Sequence, residues 1–310
     1  MSARTGLPQL GGDLFLTDGG LETWLTFDAG FELPQFASFP LLDDPRGIAA
    51  LRAYFEPYVD LARKRDVGLV LDAPTWRASA HWGELLGYSA AELDDLNRRA
   101  VAFLEDVRAD ADGVRIVIGG CVGPCGDAYS PAEQLTADET YAYHRPQVDT
   151  FAMTAVDFVN ALTITYAAEA IGIAQAAQAA ELPVAISFTL ETDGRLPSGQ
   201  PLSEAIEEVD AATDGTVAYF MVNCAHPTHF EHVLRGEGEW QERLMGVRAN
   251  ASAKSHAELD ESDQLDAGDP QELASHYPLL RERLPNLRVA GGCCGTDDRH
   301  IAAIYDALAR

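Results

Sequence analysis

Residues 48–74 read IAALRAYFEPYVDLARKRDVGLVLDAP, and they join two patterns. The first, 48–65, carries apolar residues at helical spacing, with Pro57 expected to kink it. The second, VGLVLDAP (67–74), is a short run that is nearly continuously apolar rather than alternating, as in a strand buried on both faces of a parallel sheet.

The second pattern recurs along the chain. LFLTDGG (14–20) precedes it, and RIVIGGCVGP (115–124), VDFVNALT (156–163), PVAISFTLET (183–192), VAYFMVNCAHP (217–227), LMGVRAN (244–250) and LRVAGGCC (287–294) follow. Helical patterns lie between them, at 89–111, 136–155, 166–180, 202–213, 229–235, 269–284 and 297–310. The helix at 89–111 opens with Ser89 as N-cap and Glu92 three residues on, the spacing of a capping box. Eight strand–helix pairs in 310 residues predict an α/β fold, a single (β/α)8 TIM barrel in one domain over residues 1–310. A doubly wound sheet is the alternative. It lacks its dinucleotide fingerprint, because the glycines of GGDLFLTDGGLE flank a strand instead of occupying a strand-to-helix turn.

Composition narrows the function classes. With 49 acidic against 22 basic residues the formal charge is -27, a surface that repels nucleic acid and anionic membranes. No apolar stretch is long enough to span a bilayer, and the N-terminal MSARTGLPQLGGDLFL has no signal-peptide run. A cytoplasmic protein is expected, acting on small molecules, with homo-oligomerisation left open. Five cysteines without framework spacing fit reduced thiols.

Three of those cysteines share one end of the expected barrel. Cys224 closes the sixth strand, and the adjacent Cys293 and Cys294 close the eighth. Adjacent cysteines rarely pair with each other, whereas three converging thiolates make a soft site suited to Zn²⁺. Gly291, Gly292 and Gly295 are expected to supply the unusual dihedrals that aim both side chains at one ion. Three protein ligands leave a fourth position for a substrate thiol, which the metal would hold as thiolate. Cys121 and Cys125, spaced C-x3-C after the third strand, are a weaker metal or redox pair. Of His226, His229 and His232, the last two are expected on the outer face of a helix begun by Pro227, away from the ion. The long segments 25–47 and 251–270 follow strands and so border the barrel mouth as candidate lids.

LTDGGLET after the first strand, VGP after the third, HRPQVDTFAMTAVDF before the fourth, NC closing the sixth and GGCCGT closing the eighth resemble the homocysteine S-methyltransferase family. That family includes the betaine-homocysteine and S-methylmethionine-homocysteine methyltransferases. The resemblance implies a zinc-bearing TIM barrel that moves a methyl group from a cationic donor to a thiol in methionine biosynthesis. It implies zinc on Cys224, Cys293 and Cys294, and a thiol substrate seated by Asp18 and Gly19, with Thr163 and Asn223 among the substrate-contacting residues. The donor is expected to be S-methylmethionine or S-adenosylmethionine. Trp24 and Trp76 are the only hints of an aromatic cage for betaine.

One position departs from the pattern. Relatives carry a Glu at the end of the fourth strand, thought to hold the substrate amino group, where this chain has Leu162. An aliphatic side chain cannot neutralise an ammonium. Two expectations follow: an acceptor thiol without a free amino group, its carboxylate held by Arg77, or homocysteine rescued by Glu191 at the end of the fifth strand. The competing readings are a non-catalytic zinc- or thiol-binding barrel and a disulfide-exchanging redox protein.

Overall fold

The computed structural model of the chain describes residues 6–128, 134–235, 238–260 and 264–309. Part of the N-terminal stretch read above for targeting signals, part of the 251–270 segment and the last residue of the C-terminal helix therefore lie outside the described residues. Eight parallel strands close into a barrel in sequence order: β1 (Phe15–Thr17), β2 (Gly68–Asp72), β3 (Ile116–Val122), β4 (Phe158–Ile164), β5 (Val184–Phe188), β6 (Tyr219–Asn223), β7 (Leu244–Ala249) and β8 (Val289–Gly292). β8 returns to pair with β1, so no strand edge is left open. This is the TIM barrel expected from the eight apolar runs.

The helices wrap the barrel as α1 (Leu21–Phe27), α2 (Pro45–Arg65), α3 (Ala80–Leu85), α4 (Ala90–Asp110), α5 (Ala137–Phe151), α6 (Ala167–Ala179) and α7 (Leu202–Ala212). They continue with α8 (Pro227–Phe230), α9 (Trp240–Arg243), α10 (His256–Asp260), α11 (Pro270–Ser275), α12 (Tyr277–Arg283) and α13 (Asp298–Leu308). Ser89 and Glu92 form the expected capping box at the start of α4, and Thr136 and Glu139 form another at α5.

Two prolines bear on the helices in different ways. α2 continues through Pro57 without ending there, since Tyr54, Phe55, Tyr58 and Val59 around it are buried and packing outweighs one lost backbone hydrogen bond. The helix expected over 269–284 instead divides into α11 and α12 at His276, where Pro278 has no N–H to continue the ladder. The helix expected at 229–235 is only the short α8 followed by a 3-10 turn at Val233–Arg235.

Two apolar layers result. One lies between barrel and helices. The other fills the barrel itself with Phe15, Val70, Val117, Phe158, Tyr219, Met221 and Val289, capped from below by Leu7. Filled in this way, the barrel leaves its cavity at the C-terminal ends of the strands, where this fold builds its sites. No described helix is long and apolar enough to cross a membrane.

Candidate functional site

At that end the three sulfurs meet. Cys224 Sγ stands 3.6 Å from Cys294 Sγ, and all three sulfurs lie within 4.8 Å of one another. Four ligands at ~2.3 Å in a tetrahedron stand ~3.8 Å apart, so the spacing suits one zinc-sized ion. Backbone geometry does the aiming. Cys224 adopts a left-handed φ of 57° immediately after β6, and its N–H is tied to Arg248 O at 3.1 Å. Cys293 N–H bonds Ala249 O at 2.8 Å, which fixes the paired cysteines against the end of β7.

The flanking glycines act differently from expectation. Only Gly295 has a left-handed φ, at 78°. At Gly291 and Gly292 the constraint is close approach, since a Cβ would collide with the hydroxyls of Thr17 and Thr296 respectively. Hydrogen bonding to Cys224 and Cys294, helped by Arg248 and Asn223 and opposed by burial, holds the Cys293 thiol well below its ordinary pKa. Cys294 is pushed up by the same contacts.

Asn223, the residue before Cys224, joins β4 to the sulfurs. Its Oδ1 accepts the Thr163 N–H at 2.8 Å, its Nδ2 donates to Thr163 Oγ1 at 2.9 Å, and Nδ2 lies 3.8 Å from Cys293 Sγ. These bonds hold Thr163 at a φ of 65°, where β4 slips register between Ala161 and Ile164. The irregularity turns Leu162 into the cavity, only 8% exposed, with its carbonyl accepting from Trp76 Nε1 at 3.2 Å.

The sulfurs, Asp18, Gly19, Leu162, Thr163 and Asn223 line an inner chamber of about 80 Å³. Its electrostatics centre on a residue the sequence reading passed over. Arg248, in β7, reaches across the chamber floor. Its Nη2 donates to Asp18 Oδ1 at 2.5 Å, its Nη1 to Asp72 Oδ2, and its Nε to Gly292 O at 3.1 Å. Asn160 donates to the other Asp72 oxygen at 2.9 Å, and Tyr54 OH to Asp18 Oδ2 at 3.1 Å. Burial works against the guanidinium charge, but Asp18 and Asp72 outweigh it and hold its pKa above the ordinary range. A third acid, Glu22 of α1, also lines the chamber; Ser38 donates to its Oε1 at 2.8 Å, and burial raises its pKa. Three buried carboxyls thus face one guanidinium in the chamber, and burial raises the pKa of each.

Burial pushes the Asp18 carboxyl up to about 7, against the pull of Arg248. Unfolded, that carboxyl releases its proton near pH 3.8. Between the two values the native state holds more protons than the unfolded one, so its contribution to stability falls as pH rises. The stability of wild type relative to Asp18→Asn should therefore decline from about pH 4 to about pH 7. Denaturant melts of both proteins at several pH values check this, and a difference independent of pH would refute it.

An outer cavity of about 300 Å³ opens beside Cys294, walled by Phe27, Phe36, Trp76, Leu259 and Asp266. Both long segments, 25–47 and 251–270, thus contribute to the mouth. Trp24 is not part of it; its ring packs on Tyr54 at 5.5 Å. Two residues expected at the substrate stand outside the inner chamber. Arg77 lines the outer cavity and not the chamber, its guanidinium 3.5 Å from the Trp82 ring centre and bonded to Gly126 O at 3.2 Å. Stacking between Trp82 and Trp76 turns it from the thiol position. Glu191 lies just beyond β5, where the chain turns back, and faces His256 Nδ1 at 3.4 Å outside both cavities.

The remaining cysteines and histidines sort likewise. Burial raises Cys121, which lines the chamber, and pushes Cys125 up to about 12, so neither is primed as a thiolate. Pro227 does begin a helix, but His229 is buried with Nε2 bonded to Ala253 O at 2.8 Å, contrary to the outer-face expectation. His232 is exposed.

A sequence model described as homocysteine S-methyltransferase matches residues 15–308. Among solved structures, the oxidised form of the homocysteine methyltransferase MmuM from Escherichia coli superposes with a TM-score of 0.76 at 19% identity, covering 97% of this chain and 99% of that one. Its metallated form gives 0.73 at 20% identity, covering 95% and 96%. At such identity the superpositions speak for the fold, and the match of the family model over nearly the whole chain speaks for descent. The chain belongs to the homocysteine S-methyltransferase family.

Proposed function

We propose that this protein transfers a methyl group from a cationic sulfonium donor, S-methylmethionine or S-adenosylmethionine, to a thiol, homocysteine or a close analogue, with Cys224, Cys293 and Cys294 holding one zinc ion. The observation that carries the reading is the convergence of three sulfurs, at a spacing suited to zinc, on a chamber with room for a substrate beside them. Zinc bound there would favour the thiolate of an incoming thiol at neutral pH. The chain's own groups do the rest. Asn223 steadies Cys293 and Thr163, and the closed barrel floor excludes water from below. The outer cavity gives a cationic donor aromatic walls beside Cys294. In the transfer the new sulfur–methyl bond forms as the donor's sulfonium–methyl bond breaks, the donor leaves as a neutral thioether, and the thiol proton passes to solvent.

Charge favours homocysteine over a thiol without an amino group. Leu162 removes one acid, but Glu22 remains in the chamber beside Arg248, Asp18 and Asp72, and a substrate ammonium would hold its carboxylate ionised against the burial that raises its pKa. Glu22 is the acid left without a guanidinium partner among the contacts described, and we assign it that role. Reduced thiols are needed throughout, in keeping with a cytoplasmic setting.

A panel of thiols with both donors tests the reading. Homocysteine should be methylated, and Glu22→Gln should weaken its apparent binding, raising KM by about 10- to 100-fold, the worth of a charged hydrogen bond. Mercaptopropionate, a thiol acid without an ammonium, should bind the variant as well as it binds wild type, or better. Equal losses for both thiols would remove Glu22 from the role, and no methylation of any thiol would remove the proposed activity.

A further inference from the structure

A second group of metal-ligating side chains lies outside the thiolate site. His226 begins α8, two residues beyond Cys224, while Glu272 and His276 sit four residues apart on α11 and its C-cap. One ligand atom from each falls within 4.8 Å of the others. His226 Nε2 stands 3.5 Å from Glu272 Oε2, and His276 Nε2 stands 3.0 Å from Glu272 Oε1. Ligands at 2.0–2.1 Å in a tetrahedron are ~3.3 Å apart, close to both spacings, each of which ends on a different oxygen of the Glu272 carboxylate.

Two further observations point to a ligand. The His226 side chain is 1% exposed, and its Nε2 faces the cluster with only the Glu272 carboxylate, at 3.5 Å, to offset its burial among the described residues. The far nitrogens are also engaged as ligating histidines require. His276 Nδ1 lies 3.3 Å from Glu231 Oε2, and His226 Nδ1 lies 2.8 Å from Thr228 Oγ1, which can accept its proton, and 3.4 Å from the Thr228 N–H, a longer contact that the metal-binding tautomer would give up. Such outer contacts fix the ring and leave the other nitrogen free to bind. Glu272, with a side chain 53% exposed, gives an ion a way in.

We propose that His226, Glu272 and His276 form a second metal site for a first-row divalent ion of the zinc type, independent of the cysteines. Imidazole and carboxylate donors suit such an ion, and a spacing of four residues on one helical face makes a ready chelate. The ion ties the loop that carries Cys224 to α11, the helix that ends the 251–270 wall of the outer cavity. Its role is to hold that wall in place.

Equilibrium dialysis of the full chain against micromolar Zn²⁺, with metal analysis, tests the site. Wild type should hold one equivalent more than Glu272→Gln or His276→Asn, whatever the cysteines retain. Glu272 is exposed, so its variant folds even if substitution of His226 does not. Zinc should raise the melting temperature of wild type more than that of Glu272→Gln. Loaded with Co²⁺, the difference spectrum between the two should contain ligand-field bands without thiolate charge transfer. Equal metal content in wild type and both variants would overturn the proposal, and so would a missing equivalent that carries thiolate charge transfer.

Discussion

Cys294→Ser should lose its equivalent of zinc and its thiol methylation together, the latter by at least about a hundredfold. Two losses combine. A free thiol is only a few per cent ionised at neutral pH, so an acceptor no longer held on the metal forfeits most of its nucleophilic form. It also forfeits the positioning that sets its sulfur beside the outer cavity. A serine hydroxyl cannot replace the thiolate, because its alkoxide does not form at this pH and zinc prefers the softer sulfur. Cys121→Ser is the comparison that gives the result its meaning. Cys121 lines the same chamber, but burial keeps it protonated and it stands outside the sulfur cluster. That variant should keep its zinc and most of its activity, measured by metal analysis and by transfer of labelled methyl to homocysteine. Full methylation by Cys294→Ser stripped of zinc would sink the proposed chemistry.

The barrel was legible because its strands are buried on both faces, which writes each as a compact apolar run that needs no partner information. The sulfur cluster was legible for a related reason: Cys224, Cys293 and Cys294 end strands, and all strand ends of a parallel barrel share one rim. Arg77 and Glu191 stand outside the inner chamber because they lie beyond their strands, where the two-residue alternation no longer fixes direction. Arg77 stacks on tryptophans and Glu191 turns to His256. Arg248 was missed although a signal was present. A lone arginine inside LMGVRAN and a lone aspartate inside VGLVLDAP are charges in strands read as buried, and buried charges require partners. Strand order alone could not pair them, since β2 and β7 meet only across the barrel.

That pairing makes the loss of Arg248 costly to the fold. Arg248→Met removes the guanidinium bonded to both Asp18 and Asp72 and leaves two buried carboxyls in one chamber with Glu22. Breaking a buried pair from one side costs about 3–5 kcal/mol, because the surviving charge stays desolvated. The deficit should depend on pH. Without the guanidinium, the native carboxyls titrate even further above their unfolded values, so the native state keeps protons that the unfolded state has released. Stability then falls as pH rises. The variant should lie closest to wild type near pH 5 and furthest from it near pH 8. Adding Asp18→Asn and Asp72→Asn should recover part of the loss, because neutral amides need no counter-charge. Arg248→Lys should recover little, since an ammonium cannot reach Asp18, Asp72 and Gly292 O at once as the planar fork does. Denaturant melts of the single and triple variants across this pH range measure both effects. A deficit that is constant with pH, or unrelieved by the asparagines, would show that Arg248 acts through packing alone and not through the charges it joins.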